Sequence, residues 1–379
     1  MNRNTPLRKI SINLFGLRCR IPNPFYKLQF RKYQSIQKNI QDRFDILPLQ
    51  KSHKTIVFLL PGKEVVSGGI LSIFSICRYT KLIQKKYLVI CVTEPGMYTY
   101  SKVSWFNSNE KILRWDQFIR NINDKSELVI HIPEYMSGAF YSKLSELDKK
   151  KLIKVDDLKI NILNQNPMLL PPADKVGDLF LLTNDVTQTL AFKTKKIDEL
   201  ANKYYTPVIT IYSYLDITKW MAKTSKKKLI LLSPDKNENR SSIVKSLKSG
   251  LPDFKILTIS GMSFEEYMKY VSEAFAVITF GEGYDGYFLQ AAAIGTLSFS
   301  VYNETFFPND SFLDLKNVYS SYHQMESSIV NDIILYFNNN DKYRDAVNEL
   351  RRLDEVHSEA SFVSRLKKFY NNDFECYPQ

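Results

Sequence analysis

The chain is poor in cysteine: 379 residues contain four, Cys19, Cys77, Cys91 and Cys376, with no C-x-x-C spacing among them. That argues against a disulfide framework and a zinc ribbon, and suits a reducing compartment. No run approaches the roughly 18 apolar residues that cross a bilayer. Thirteen glycines and fifteen prolines are too few for a collagenous or low-complexity chain. No Asp-x-Asp occurs anywhere, and Gly62-Lys63 lacks the earlier glycine and the following Ser or Thr of a phosphate-binding P-loop. The 44% hydrophobic content excludes wholesale disorder. At about 150 residues per domain, the length predicts two to three domains.

Acidic residues are missing altogether from residues 1–41, which hold nine Lys and Arg. The whole chain carries +12, and without those nine it would carry +3. The excess therefore sits on a basic N-terminal arm. Leu14, Phe15, Leu17, Phe25, Tyr26, Leu28 and Phe30 are interleaved with the cations. Such a mixture suits an anionic lipid surface. A solvated tail and a transit peptide are the alternatives; the aromatics and the scarcity of Ser weigh against the latter. No nucleic-acid module accompanies the charge, so no nucleic-acid partner is expected.

Beyond the arm, short apolar runs alternate with helical patterns. Thr55–Leu60, Tyr87–Val92, Glu127–Ile132, Lys159–Leu163, Leu179–Leu182 and Val208–Ile211 read as strands, each followed within a few residues by polar or turn-forming residues. Gly68-Gly69 opens a helix over 70–85. A polar stretch, 216–228, reads as a linker. A second series follows: Leu229–Leu232, Lys255–Ile259, Phe275–Phe280 and Leu297–Val301. It includes a helix capped by Ser263 with Glu266 at the capping-box position, and another over 286–293 stopped by Gly295. The alternation predicts an α/β protein with two doubly wound Rossmann-like domains facing a cleft. They are expected over 42–215 and 216–344, with C-terminal helices over 345–379 returning to the first.

Ligands of open α/β sheets sit beyond the carboxyl ends of the strands. There the first half offers Gly68, Gly69, His131, Glu134 and Asn166, and the second half Lys236, Arg240, Gly261 and Met262. His131 reads either as a hydroxyl-binding group or as a satisfied structural histidine. Lys236 and Arg240 read as phosphate contacts or as a solvated loop. The most informative segment is FGEGYDGYFLQAAAIGTLS, residues 280–298. Gly281, Gly283 and Gly286 match G-x-G-x-x-G, but on the third strand of their half, where a dinucleotide fingerprint does not normally sit.

The segment more closely resembles the donor-binding signature of retaining, family 4-type glycosyltransferases of bacterial surface-polysaccharide synthesis. Glu282-Gly283-Tyr284 matches its Glu-Gly-aromatic turn, and Ala291, Ala292 and Gly295 match the helix that follows. Gln290 stands where the family has a second Glu, and Leu297 where it has Pro. Asp285 is an additional acid within the turn. The resemblance implies the GT-B arrangement and transfer of a hexosyl group from a nucleotide-sugar to a saccharide or polyprenyl-linked acceptor. It further implies retained configuration, with no metal and no cofactor. In it Glu282 would position the sugar, His131 would touch donor hydroxyls, and Lys236 and Arg240 would neutralise the leaving diphosphate. Gly68, Gly69, Gly261, Met262, Gly281, Gly283, Tyr284 and Gln290 would line the donor, and Glu134 and Asn166 the acceptor. The expected location is cytoplasmic, peripheral at the inner face of the cell membrane. A nicotinamide-dependent oxidoreductase using the Gly281–Gly286 loop, or a non-catalytic glycan-assembly partner, are the alternatives.

Overall fold

Strands covered on both faces read as continuous apolar runs, and most of the runs above become central parallel strands. In the computed structural model, residues 9–14, 17–106, 108–221, 225–353 and 357–379 are described. A hairpin of β1 (Lys9–Leu14) and β2 (Leu17–Pro22) comes first. The first large sheet contains β3 (Lys54–Leu60), β4 (Leu88–Thr93), β5 (Ile112–Leu113), β6 (Glu127–Pro133), β7 (Asp157–Asn164), β8 (Asp185–Leu190) and β9 (Val208–Thr210). Its order is β5-β4-β3-β6-β7-β8-β9, parallel throughout. The second contains β10 (Lys227–Leu232), β11 (Lys255–Thr258), β12 (Ala274–Ile278), β13 (Leu297–Val301) and β14 (Val318–Tyr319) in the order β11-β10-β12-β13-β14, also parallel. Each order reverses once, between β3 and β6 and between β10 and β12, so each sheet has one topological switch point. These are two Rossmann-like lobes.

The two lobes share an apolar contact. Phe106 meets Phe264 edge-on at 5.9 Å, Trp220 meets Phe264 at 5.5 Å, and the Phe264 N–H donates to Trp105 O. The Asn340–Leu353 helix packs on the second lobe. The Glu359–Tyr370 helix returns to the first, where Phe362 meets Tyr79 edge-on and the Tyr79 hydroxyl donates to Glu359. Cys376 then bridges to Val208 on the edge strand.

Four readings differ from the structure, the first being the return of all of residues 345–379 to the first lobe, since the Asn340–Leu353 helix packs on the second lobe instead. Leu179–Leu182 is not a strand: Asp178–Leu181 is a 3₁₀ turn, and the strand is Asp185–Leu190. The sequence DVTQTL hides its burial because Thr187, Gln188 and Thr189 are buried polar residues. Gln188 accepts from Asn164 Nδ2 and donates to Thr206, while Thr187 donates to Asn161. Within the basic arm, Tyr26–Gln41 is a 16-residue helix fastened to the first lobe and not a solvated tail. The Gln34 side-chain amide both donates to and accepts from the Thr99 backbone, and buried Gln41 donates to Thr99 Oγ1 and Ile112 O. The polar stretch read as linker contains a short 3₁₀ turn, Thr218–Trp220; residues 222–224 lie outside the described residues.

Candidate functional site

The carboxyl ends of both sheets open onto one cavity of about 420 Å³ between the lobes. The second lobe contributes the turn after β12, and two of its glycines are there for packing. Gly283 has φ +85°, and a Cβ on it would lie 2.5 Å from Val301 O. A Cβ on Gly281 would lie 2.9 Å from the carboxyl carbon of Asp235. The Ser300 hydroxyl locks the turn by donating to Gly283 O at 2.8 Å. Only a glycine-bearing turn fits so closely against β13.

Asp285 ends that turn and caps the Gly286–Ile294 helix. Its Oδ1 accepts from the Tyr287 and Phe288 N–H groups, and its Oδ2 accepts from Thr279 Oγ1 at 2.6 Å. Burial pushes its pKa up to about 7, against the pull of those bonds. The helix N-terminus is thus filled by the protein's own acid. Glu282 is half-buried at the cavity wall, and burial raises its pKa. Asn166 Nδ2, at the end of β7 on the other lobe, donates to Glu282 Oε1 at 2.6 Å. This bond joins the lobes directly across the cleft. Tyr284 contacts Phe307 and Phe312, and its hydroxyl lies 3.4 Å from His357 Nδ1. Gln290 folds its amide back toward Gly286, with Nε2 3.1 Å from where a Cβ would stand.

The first lobe contributes the start of the Gly68–Ile83 helix, whose Ser67 cap accepts from Ile70 N–H. Gly69 lies against the tip of the Gln165 side chain. Beneath Gln165, Glu134 is buried, and burial lifts its pKa to about 7 although it accepts from the Gln165 backbone. Glu134 Oε2 and Gln165 Nε2 have no protein hydrogen-bond partner.

Of the expected residues, Gly68, Gly69, Glu282, Tyr284 and Gln290 border the cavity. Asn166 joins them through Glu282, and Gly281 and Gly283 shape the turn. Glu134 lies behind Gln165, away from the cavity wall. His131 does not reach the cleft. It is buried in the first lobe, stacked on Phe58 at 4.4 Å and hydrogen-bonded to Asn161 and Tyr370. Burial, with Lys159 nearby, pushes its pKa down to about 3, so it stays neutral. It is the satisfied structural histidine. Arg240 also turns away. Its guanidinium donates to Ser233 O, Asp235 O and Thr258 Oγ1 and lies over the Phe280 ring at 4.8 Å, bracing the ends of β10 and β11. Lys236 is exposed outside the cavity, as is Gly261 with φ +68°. Met262 packs half-buried on the inter-lobe core.

Four lining residues had no signal in the sequence. Lys193 follows β8, Tyr212 and Ser213 follow β9, and His357 precedes the last helix. Lys193 is the one lysine or arginine among the described lining residues. Its loop was concealed because the strand before it, Asp185–Leu190, was concealed. The cavity therefore has the Glu282 carboxyl and the Gln290 amide on the second lobe and the Lys193 cation on the first.

No family model matches the chain, and no curated protein matches it. Solved structures do. An alpha-glucosyltransferase in complex with UDP and a 13-mer DNA containing a HMU base superposes with TM-score 0.54 at 11% identity, covering 84% of this chain and 98% of that one. Sucrose-phosphate synthase from Thermosynechococcus elongatus gives 0.53 at 9%, covering 84% and 98%. An alpha,alpha-trehalose-phosphate synthase (UDP-forming) from Burkholderia xenovorans gives 0.51 at 10%, covering 84% and 99%. At these identities the likeness is one of fold: two Rossmann-like lobes in the GT-B arrangement.

Proposed function

We propose that the protein transfers a hexosyl group from a nucleotide-sugar to a saccharide or lipid-linked glycan acceptor, with retention and without a metal, in bacterial surface-polysaccharide synthesis. The observation that carries this reading is the cross-cleft bond between Asn166 and Glu282 at the mouth of a two-lobed cavity. Two neighbours of the same fold are named with UDP, one in complex with it and one as UDP-forming, which supports a nucleotide-sugar donor.

In this reading Glu282 accepts hydrogen bonds from sugar hydroxyls, in place of or together with Asn166. Lys193 faces the negative diphosphate from the first lobe, the part expected of Lys236 and Arg240. Gly68 and Gly69 let the backbone approach the donor. Gln290 meets ribose hydroxyls as a neutral donor and acceptor. Closing the cleft excludes water and limits hydrolysis of the donor.

Against the dinucleotide alternative stands the helix N-terminus that would receive a pyrophosphate, since Asp285 caps it. The test is a thermal-shift screen against UDP-, GDP- and dTDP-sugars, followed by product detection on glycan acceptors. Glu282→Gln should keep the fold and lose at least tenfold in turnover. Unchanged turnover, or stabilisation by NADH and by no nucleotide-sugar, overturns the assignment.

A further inference from the structure

The Tyr26–Gln41 helix has three faces. Stepping by roughly 100° per residue, Tyr26, Phe30, Tyr33, Gln34, Gln37 and Gln41 share the side turned to the first lobe, where Phe30 meets Tyr98 edge-on at 5.1 Å. Lys27, Arg31 and Lys38 form a second, narrow row, and all three are exposed. Leu28, Ile36 and Ile40 fall on a third arc, about 120° wide at the same step, continuous with Phe25 just before the helix. Leu28 is 68% exposed and Phe25 65%, and nothing in the described structure covers either. Lys32 sits within the apolar arc, and the helix contains no acidic residue.

A soluble helix normally turns its apolar stripe inward and its polar face out. Here a mixed face of three aromatics and three glutamines docks on the lobe, and a second, apolar stripe bordered by cations is left outside. The pattern continues onto neighbouring loops. Lys38 borders a pocket of about 250 Å³ together with Met97 and Tyr98. Met97 is 81% exposed. Lys63 lies over the Tyr98 ring at 4.8 Å, and Val65 and Val66 follow it, both exposed. The loops bearing these residues leave the carboxyl ends of β3 and β4, the edge of the first sheet from which the cleft also opens.

We infer that this face is a docking surface for an anionic lipid bilayer. Phe25, Leu28, Ile36, Ile40 and Met97 insert among the acyl chains, and Lys27, Arg31, Lys32, Lys38 and Lys63 meet the phosphate headgroups. Exposed apolar side chains supply the insertion, and the unopposed cations select anionic over zwitterionic lipid. No helix among the described residues is long and apolar enough to cross a membrane, so attachment is by one face only. The inference stands apart from the sugar-transfer reading, since it is tested with no donor or acceptor present.

The experiment is co-sedimentation of the full chain with sucrose-loaded vesicles, either equal parts phosphatidylglycerol and phosphatidylcholine or phosphatidylcholine alone. Binding is expected to the first, at least tenfold weaker to the second, and weaker in 0.5 M than in 0.05 M salt. Phe25→Asp/Leu28→Asp should lower the partition coefficient at least tenfold, and so should Lys27→Glu/Arg31→Glu/Lys32→Glu. Lys245→Glu/Lys248→Glu, a charge reversal on the far lobe, should leave it within twofold. All these residues are exposed, and circular dichroism confirms that each variant is folded. Equal binding to both vesicle types, or no loss in the first two variants, overturns the inference. So does a dimer by light scattering that Phe25→Asp/Leu28→Asp dissolves, or binding of an RNA oligonucleotide in preference to anionic vesicles.

Discussion

Asp285→Asn isolates the acid that closes the second-lobe helix. In the folded chain burial raises the Asp285 pKa from 3.8 to about 7. A raised carboxyl pKa means that the ionised form is the costly one in the native state. Below pH 3.8 both folded and unfolded states hold the proton and there is no penalty. Between 3.8 and 7 the unfolded chain releases its proton first, so native stability falls as pH rises. Above 7 the loss is complete. About three pH units at 1.36 kcal/mol each give roughly 4 kcal/mol. Asparagine keeps an oxygen for the Tyr287 and Phe288 N–H groups and is itself a good N-cap. Its amide can donate to Thr279 Oγ1, which reverses its hydroxyl. The variant should therefore match the wild type near pH 3.5 and exceed it by up to about 4 kcal/mol at pH 8. Urea titrations followed by circular dichroism at pH 3.5, 6 and 8 measure the difference. A constant offset at all three values would show that the acid's titration is not its origin. A variant less stable than wild type at pH 8 would refute the reasoning outright.

Three further perturbations separate packing roles from donor contact. Gly283→Ala forces a Cβ to 2.5 Å from Val301 O at φ +85°, and should cost about 2–4 kcal/mol by thermal or urea unfolding. His131→Ala removes a buried ring and its bonds to Asn161 and Tyr370; about 3 kcal/mol should be lost, with donor affinity by calorimetry unchanged. Because burial holds the His131 pKa down to about 3, wild-type stability should decline as pH falls below 6.5, and the Ala variant should lack that contribution. Arg240→Lys cannot reproduce a guanidinium fork on Ser233 O, Asp235 O and Thr258 Oγ1. A loss of about 1–3 kcal/mol in stability, with donor affinity within twofold, is expected; a donor affinity reduced tenfold at unchanged stability would return Arg240 to the site.

What the sequence made legible follows from which forces are local. The GT-B frame was readable because strands buried on both faces must be apolar along their length, as in TIVFLL and FAVITF, and because Gly295 and the Ser263–Glu266 box mark helix ends by themselves. Asp185–Leu190 was unreadable because its threonines and glutamine are satisfied by Asn161, Ile162, Asn164 and Thr206, partners up to 28 residues away in the chain. The turn at Glu282 was readable because its glycines answer to backbone crowding. The charges around it were not. His131 and Arg240 occupy strand ends in sequence exactly as a ligand-binding side chain would, and the direction each takes depends on distant elements. His131 is drawn inward by Tyr370, 239 positions later, and Arg240 by carbonyls that β10 leaves open at its end. Lys193, by contrast, borders the cavity although no motif surrounds it. Position beyond a strand end is thus not sufficient to bring a side chain to the cavity wall. Whether a cation there serves the cleft or the scaffold is decided by whether unsatisfied backbone carbonyls or buried aromatic faces lie within its reach, and only the folded chain brings those together.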